Sequence, residues 1–217
     1  MIRPACDLRL YLVLGSQDCA GRSLSDVVAE AVAGGVTLVQ LREKGADSRR
    51  VAELARVLVA LLRPSGVPLI VNDDLEATLA SGAAGLHVGQ DDAAPASVRR
   101  RLPPDRILGL SVGNAAEAAT ADPALVDYVG LGPVFATPTK GDAGQPLGLA
   151  GLAALRRLVP ALPAVAIGGI KLAQAGAVMA AGVQGLAVVS AIAGAAATAA
   201  AAWALRQAND RQATDRE

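Results

Sequence analysis

The chain has 217 residues, an apolar share of 53% and only 2% aromatics, so one large core can form but aliphatic side chains must build it. Twenty basic and twenty acidic residues cancel, with a pI near 6.6, which removes any electrostatic reason to expect nucleic acid or an anionic membrane as partner. Cys6 and Cys19 lack metal-ligand spacing and cannot build a disulfide framework, and the N-terminus lacks a signal-peptide layout, so the expected compartment is the cytoplasm.

Apolar runs bounded by Gly, Pro and Asp/Asn alternate with helical periodicity along the chain. The predicted strands are 9–14, 37–41, 68–71, 85–88, 106–110, 128–132, 164–167 and 185–189, each followed by a helical pattern. The first helix starts after Ser23, carries Leu24, Val27, Val28, Ala31 and Val32 on one face, and ends at Gly34-Gly35. The second runs through Val51, Leu54, Ala55, Leu58, Val59 and Leu62 to a stop at Pro64. Between Lys171 and Arg206 no residue is charged, a length that could cross a bilayer. That stretch is rich in Ala and Gly and broken by Gln174, Gly182, Gln184, Gly185, Ser190 and Gly194, so it divides into helix, strand and helix.

Eight such repeats without a low-complexity linker predict the α/β class and a single (β/α)8 TIM barrel domain over 1–217, with the site at the C-terminal ends of the strands. A doubly wound open sheet is the competing architecture. Against it, no G-x-G-x-x-G turn follows the first strand, where the text reads LVLGSQDCAG.

The scarce polar residues gather at strand ends. In QLREK, Gln40, Arg42 and Lys44 alternate with Leu41 and Glu43, so they point to one face and suit a phosphate or diphosphate; a solvated charged loop is the plainer account. The pairs Asp73-Asp74 and Asp91-Asp92 end the third and fourth strands and offer the hard oxygens that Mg2+ takes when a substrate phosphate completes its shell. Helix capping explains one Asp of each pair and leaves the other unexplained. His87, the only histidine, lies inside the fourth strand beside Asn72 and Asp73. The longest non-periodic loop, 136–146, carries Thr137, Pro138, Thr139 and Lys140, a plausible anion clamp or else a proline-stiffened turn. AIGGI and VVSAI end the last two strands, where barrels often seat a phosphate; tight packing is the alternative for Gly168 and Gly169.

In this order QLREK, LIVND, GLHVGQDD, GLS (109–111), GPVFATPTK, AIGGI and VVSAI resemble the thiamine phosphate synthase family over nearly the whole chain. The resemblance implies a transferase that joins hydroxymethylpyrimidine diphosphate to a thiazole phosphate in its carboxylated form, with Mg2+-assisted loss of diphosphate. It places Gln40, Leu41, Arg42, Glu43, Lys44, Asn72, Ser111 and Lys140 on the pyrimidine diphosphate, with Arg42, Lys140 and Ser111 catalytic. Asp73 and Asp92 would ligate Mg2+, His87 would sit near the pyrimidine, and Thr137, Pro138, Thr139, Gly169, Val189 and Ser190 would hold the thiazole phosphate. One departure is Leu14-Gly15, where the family usually carries Thr-Asp. The implied partners are small molecules, with a homo-oligomer left open. A thiazole tautomerase and a non-catalytic barrel that senses thiamine phosphate are the competing readings; the diphosphate grip and both Asp ligands argue against them.

Overall fold

The computed structural model describes residues 6–137 and 144–214. Its strands are β1 (Leu10–Leu14), β2 (Leu38–Leu41), β3 (Leu69–Asn72), β4 (Gly85–Val88), β5 (Ile107–Val112), β6 (Tyr128–Leu131), β7 (Ala164–Ile167) and β8 (Gly185–Val188). Between and after them run α1 (Leu24–Ala33), α2 (Ser48–Leu62), α3 (Leu75–Ser81), α4 (Pro95–Arg101), α5 (Ala115–Thr120), α6 (Gly148–Leu158), α7 (Ala175–Ala180) and α8 (Thr198–Thr214). Every strand pairs in parallel with the next, and β8 closes on β1 through Leu10 opposite Leu186 and Leu12 opposite Val188, so the sheet is a closed barrel.

The two-residue alternation of the strands sorts their side chains into two layers. Leu10, Leu12 and Leu14 of β1 face outward into the shell shared with the helices, where Val27, Val28 and Ala31 of α1 and Val51, Ala55 and Leu58 of α2 meet them. Tyr11 and Val13 face inward, into a lumen filled with Leu38, Ile70, Ile107, Tyr128, Val165 and Ala187. Each fully buried Leu or Val contributes roughly 1.5–3 kcal/mol relative to exposure, so the outer shell carries most of the stability. The lumen corrects the expectation of a wholly aliphatic core: both tyrosines of the chain are buried there, 1% and 0% exposed.

Local signals place the helices as read from the chain. The Ser23 side chain accepts from the Asp26 amide to cap α1, and Gly34 ends it where a methyl group would collide with the Ala199 carbonyl. Asp47 caps α2 by accepting from the Arg50 amide, and a 3-10 turn containing Pro64 follows Leu62. β5 runs two residues beyond its predicted end, because Ser111 and Val112 continue the pairing with Gly130 and Leu131. The charge-free stretch resolves into α7, β8 and the start of α8, and no helix among the described residues is long and apolar enough to cross a membrane.

At the amino-terminal rim Arg99 of α4 donates to the Leu125 and Arg106 carbonyls at 2.8 and 2.9 Å and to Asp127 at 2.7 Å, while Asp127 also accepts from the Leu108 amide. These side chains are 14% and 6% exposed, so the pair joins α4 to the starts of β5 and β6 largely out of water.

Candidate active site at the carboxyl-terminal mouth

The end of β2 splits the predicted cationic face. Gln40 is buried in the lumen, where its amide Nε2 donates to the Tyr11 hydroxyl at 2.5 Å. Arg42 and Lys44 instead line a groove of about 450 Å³ together with Glu43, Asn72, Asp73 and Asp74. The backbone turns after Leu41, so the two-residue alternation that put Gln40 with Arg42 and Lys44 no longer applies. Leu41 is wholly buried in the outer shell, so only its backbone is available to a ligand. Glu43 accepts from both the amide and the hydroxyl of Ser16 at 2.9 Å, tying the β2 loop to the β1 loop. Leu14 is fully buried, and a methyl on Gly15 would strike the Arg42 carbonyl, so the departure after β1 lets two strand ends pass closely.

At the end of β3 the two neighbouring aspartates have separate roles. Asp74 accepts from the Ala77 amide at 2.8 Å and caps α3. Asp73 sits at φ 63°, in a three-residue turn closed by the Asp74 amide donating to the Asn72 carbonyl at 2.7 Å. A non-glycine residue there stores about 1–3 kcal/mol of strain, which aims its carboxylate at the mouth instead of along the helix. Across the rim, Asp92 accepts from the Gly89 amide at 2.7 Å. The residue capping α4 is Ala94, followed by Pro95, so capping accounts for neither Asp91 nor Asp92.

Asp73 and Asp92 are close enough to compete for one proton. Reduced hydration and the Asp92 carboxyl push the Asp73 pKa up to about 7, while Arg42 and Asn72 pull it down. Asp73 as a whole residue remains exposed, so the like charge of Asp92 is the better physical warrant for the shift. Arg42, Asp73 and Asp92 thus converge on one rim, as the strand-end pattern predicts.

Farther round, His87 contacts the Tyr128 hydroxyl through Nδ1 and Ser111 Oγ through Nε2, both at 2.9 Å, and Gln90 holds the Ser111 carbonyl at 2.6 Å. Thr137 is half-buried; Pro138, Thr139 and Lys140 lie outside the described residues. Gly168 and Gly169 have φ 103° and 67°, and methyl groups on them would stand 2.7 Å from Pro133 and from the Ala136 carbonyl. Their close approach is therefore to the protein's own β6 loop. Beside them Lys171 Nζ donates to Ser190 Oγ at 2.7 Å, and Val189 packs on the lumen cluster.

Several contributors escaped the sequence reading: Tyr11, Tyr128, Gln90, Ser16 and Lys171. Lys171, one of only three lysines in an arginine-rich chain and just past AIGGI, is the one that scarcity could have flagged. A second hollow, of about 500 Å³, opens at the opposite end around Asp7, Thr37, Pro68 and Arg106. It lies at the amino-terminal ends of the strands, whereas barrel enzymes place their chemistry at the carboxyl ends.

Residues 10–192 match the family model described as thiamine monophosphate synthase. A thiamine-phosphate synthase from Azorhizobium caulinodans is 53% identical over 200 residues, covering 92% of this chain and 94% of that protein. One from Albidiferax ferrireducens is 48% identical over 203 residues, covering 94% and 92%. The solved thiamine phosphate pyrophosphorylase of Pyrococcus furiosus superposes with a TM-score of 0.86 at 33% identity, over 95% of this chain and 97% of that one.

Proposed function

The chain belongs to the thiamine monophosphate synthase family, and on that premise we propose how its mouth residues share out the reaction. The family condenses the pyrimidine and thiazole moieties in thiamine biosynthesis, and this chain is such a transferase, acting on small-molecule substrates. Both relatives carry the synthase name, so the tautomerase and sensor readings draw no support from them. With both cysteines as thiols, a reducing cytoplasm is the fitting compartment.

The observation that carries the site assignment is the Asp73 and Asp92 carboxylate pair under the influence of Arg42. Two carboxylates competing for a proton suit a hard divalent cation, and no cluster of three or more His, Cys, Asp or Glu ligands occurs among the described residues. Two carboxylates would leave the other positions of an octahedral Mg2+ to water and substrate oxygens, so the pair fits Mg2+ held jointly with a diphosphate. When bound, Mg2+ supplies positive charge opposite the leaving diphosphate.

Arg42, Lys44 and Lys140 grip the diphosphate, and Asn72 and Ser111 orient it. Arg42 points a fixed charge at the oxygens where negative charge grows as the bond to the pyrimidine methylene breaks. Ser111 Oγ and His87 Nε2 stand 2.9 Å apart, within the reach of a nucleophile and base, but the reaction calls for no covalent step on the enzyme: the thiazole nitrogen attacks the carbocation-like methylene while the enzyme supplies charge and proximity. Gln40 and His87 form the floor beneath the pyrimidine. Ser190, Lys171 and the backbone of Gly169 and Val189 hold the thiazole phosphate, with Thr137, Pro138 and Thr139 as further contributors that the family resemblance implies. The substrate form taken is the carboxylated thiazole phosphate, whose carboxyl group leaves as CO2 once the carbon–nitrogen bond has formed.

Incubating the purified protein with both substrates and Mg2+ should yield thiamine phosphate, diphosphate and CO2 in equal amounts, and EDTA should stop the reaction. Product formation indifferent to EDTA and to Asp73→Asn would overturn the assignment of the carboxylate pair.

A further inference from the structure

A chain of hydrogen bonds crosses the lumen beneath the mouth. Gln40 Nε2 donates to Tyr11, the Tyr11 and Tyr128 hydroxyls lie 2.8 Å apart, Tyr128 meets His87 Nδ1 at 2.9 Å, and His87 Nε2 meets Ser111 Oγ at 2.9 Å. The path draws on β2, β1, β6, β4 and β5, and only its last residue is more than slightly exposed. The barrel makes room for it with glycine: a methyl on Gly109 would overlap the Tyr128 ring and stand 2.5 Å from His87 Nδ1.

Each phenol has one hydrogen, which gives the chain a direction. Gln40 Nε2 can only donate, so the Tyr11 oxygen accepts there. Among the described residues the Tyr11 hydroxyl has only Tyr128 left to receive its hydrogen. Tyr128 then passes its own hydrogen to His87 Nδ1. If His87 carried its proton on Nδ1, Tyr128 would donate back and the Tyr11 hydrogen would be orphaned in a dry site, a penalty worth roughly a tenfold or larger population ratio. Burial pushes both phenols well above their ordinary pKa, so both keep their hydrogens at neutral pH.

We propose that Tyr128, its oxygen filled by the Tyr11 hydroxyl, is a positioning residue that holds His87 as the neutral Nε2–H tautomer, so that Ser111, accepting from His87, turns its hydroxyl hydrogen toward the substrate. The inference rests on the reading of Ser111 as a donor to the pyrimidine diphosphate. The two lumen tyrosines thereby act on the reaction without touching it.

His87 is the only histidine, so 15N-labelled imidazole gives a single pair of nitrogen resonances in the intact protein. In the ligand-free enzyme those resonances should report Nε2–H. Tyr128→Phe should give mixed tautomers and lower kcat about tenfold, the loss of one neutral hydrogen bond, with KM unchanged. Tyr11→Phe removes donor and acceptor together, so the Tyr128 hydrogen keeps His87 Nδ1 as its partner and the resonances should stay at Nε2–H. Ser111→Ala should lower kcat as Tyr128→Phe does, and the double variant should be no worse than either. An Nδ1–H tautomer or an imidazolium in the parent protein at neutral pH overturns the proposal. Full activity in Ser111→Ala with the expected tautomer intact overturns instead the reading of Ser111 on which it stands.

Discussion

At the amino-terminal rim the Arg99 guanidinium meets Asp127 and two carbonyl oxygens, whereas at the carboxyl-terminal rim Asp73 and Asp92 press like charges together. The first arrangement satisfies a nearly buried pair from several sides at once. The second holds a carboxylate on a left-handed backbone with its proton affinity raised. One end is arranged to keep the barrel closed, and the other carries repulsion that the proposed Mg2+ would relieve. In a barrel whose strands all run the same way, that division places stability and chemistry at opposite ends of the same elements.

Removing a carboxylate at the mouth should have the largest effect. Asp73→Asn and Asp92→Asn should each lower kcat by roughly 10²–10³-fold, the scale of losing one preorganised electrostatic contact, with no loss in the urea midpoint; near-normal turnover would erase the contrast between the rims. Arg99→Ala at the other end should cost about 3–5 kcal/mol in urea unfolding, because the buried Asp127 carboxylate loses the guanidinium that balances its charge. Its kcat should stay at the parent value wherever the protein is folded, and a matching loss of activity would show that the two ends are not separable.

The pH dependence of stability sharpens the same comparison. Asp73 releases its proton near 3.8 when unfolded but near 7 when folded, so between these values the folded state binds the extra proton. Its favourable contribution is present below about pH 4 and is lost as pH rises to 7. In thermal melts without Mg2+, Asp73→Asn should therefore gain on the parent across that window, and a constant difference would remove Asp92 as the source of strain. The smallest effect is expected one residue away: Asp74→Ala should lose about 1 kcal/mol with its α3 cap, with kcat within about a factor of two. A large drop in kcat there would move the proposed metal seat onto Asp74.

Where a role depended on near neighbours, it could be read from the chain. Ser23 before an apolar face and Gly34-Gly35 after it delimit α1 within a residue, because caps act over three or four positions. The Asp pairs were legible as ligands or caps, and the reasoning that one cap leaves one carboxylate over holds at Asp73-Asp74. It fails at Asp91-Asp92, since Pro95 starts α4 and leaves the capping position to Ala94. Gln40 illustrates the other limit: alternation grouped it with Arg42 and Lys44, but β2 ends at Leu41 and the backbone turns there, so only Gln40 keeps the inward face, where it meets Tyr11.

The amino-acid sequence by itself determined the order of strands and helices, the barrel, and the strand ends where the polar residues gather, because periodicity and punctuation are local properties of a chain. Only the tertiary structure decided which carboxylates meet, that Lys171 reaches Ser190, and that two hydroxyls 117 residues apart share a hydrogen bond. Those pairings are set by strand register and by the closure of β8 on β1, which bring distant residues to one axis, and no short window of sequence encodes that distance.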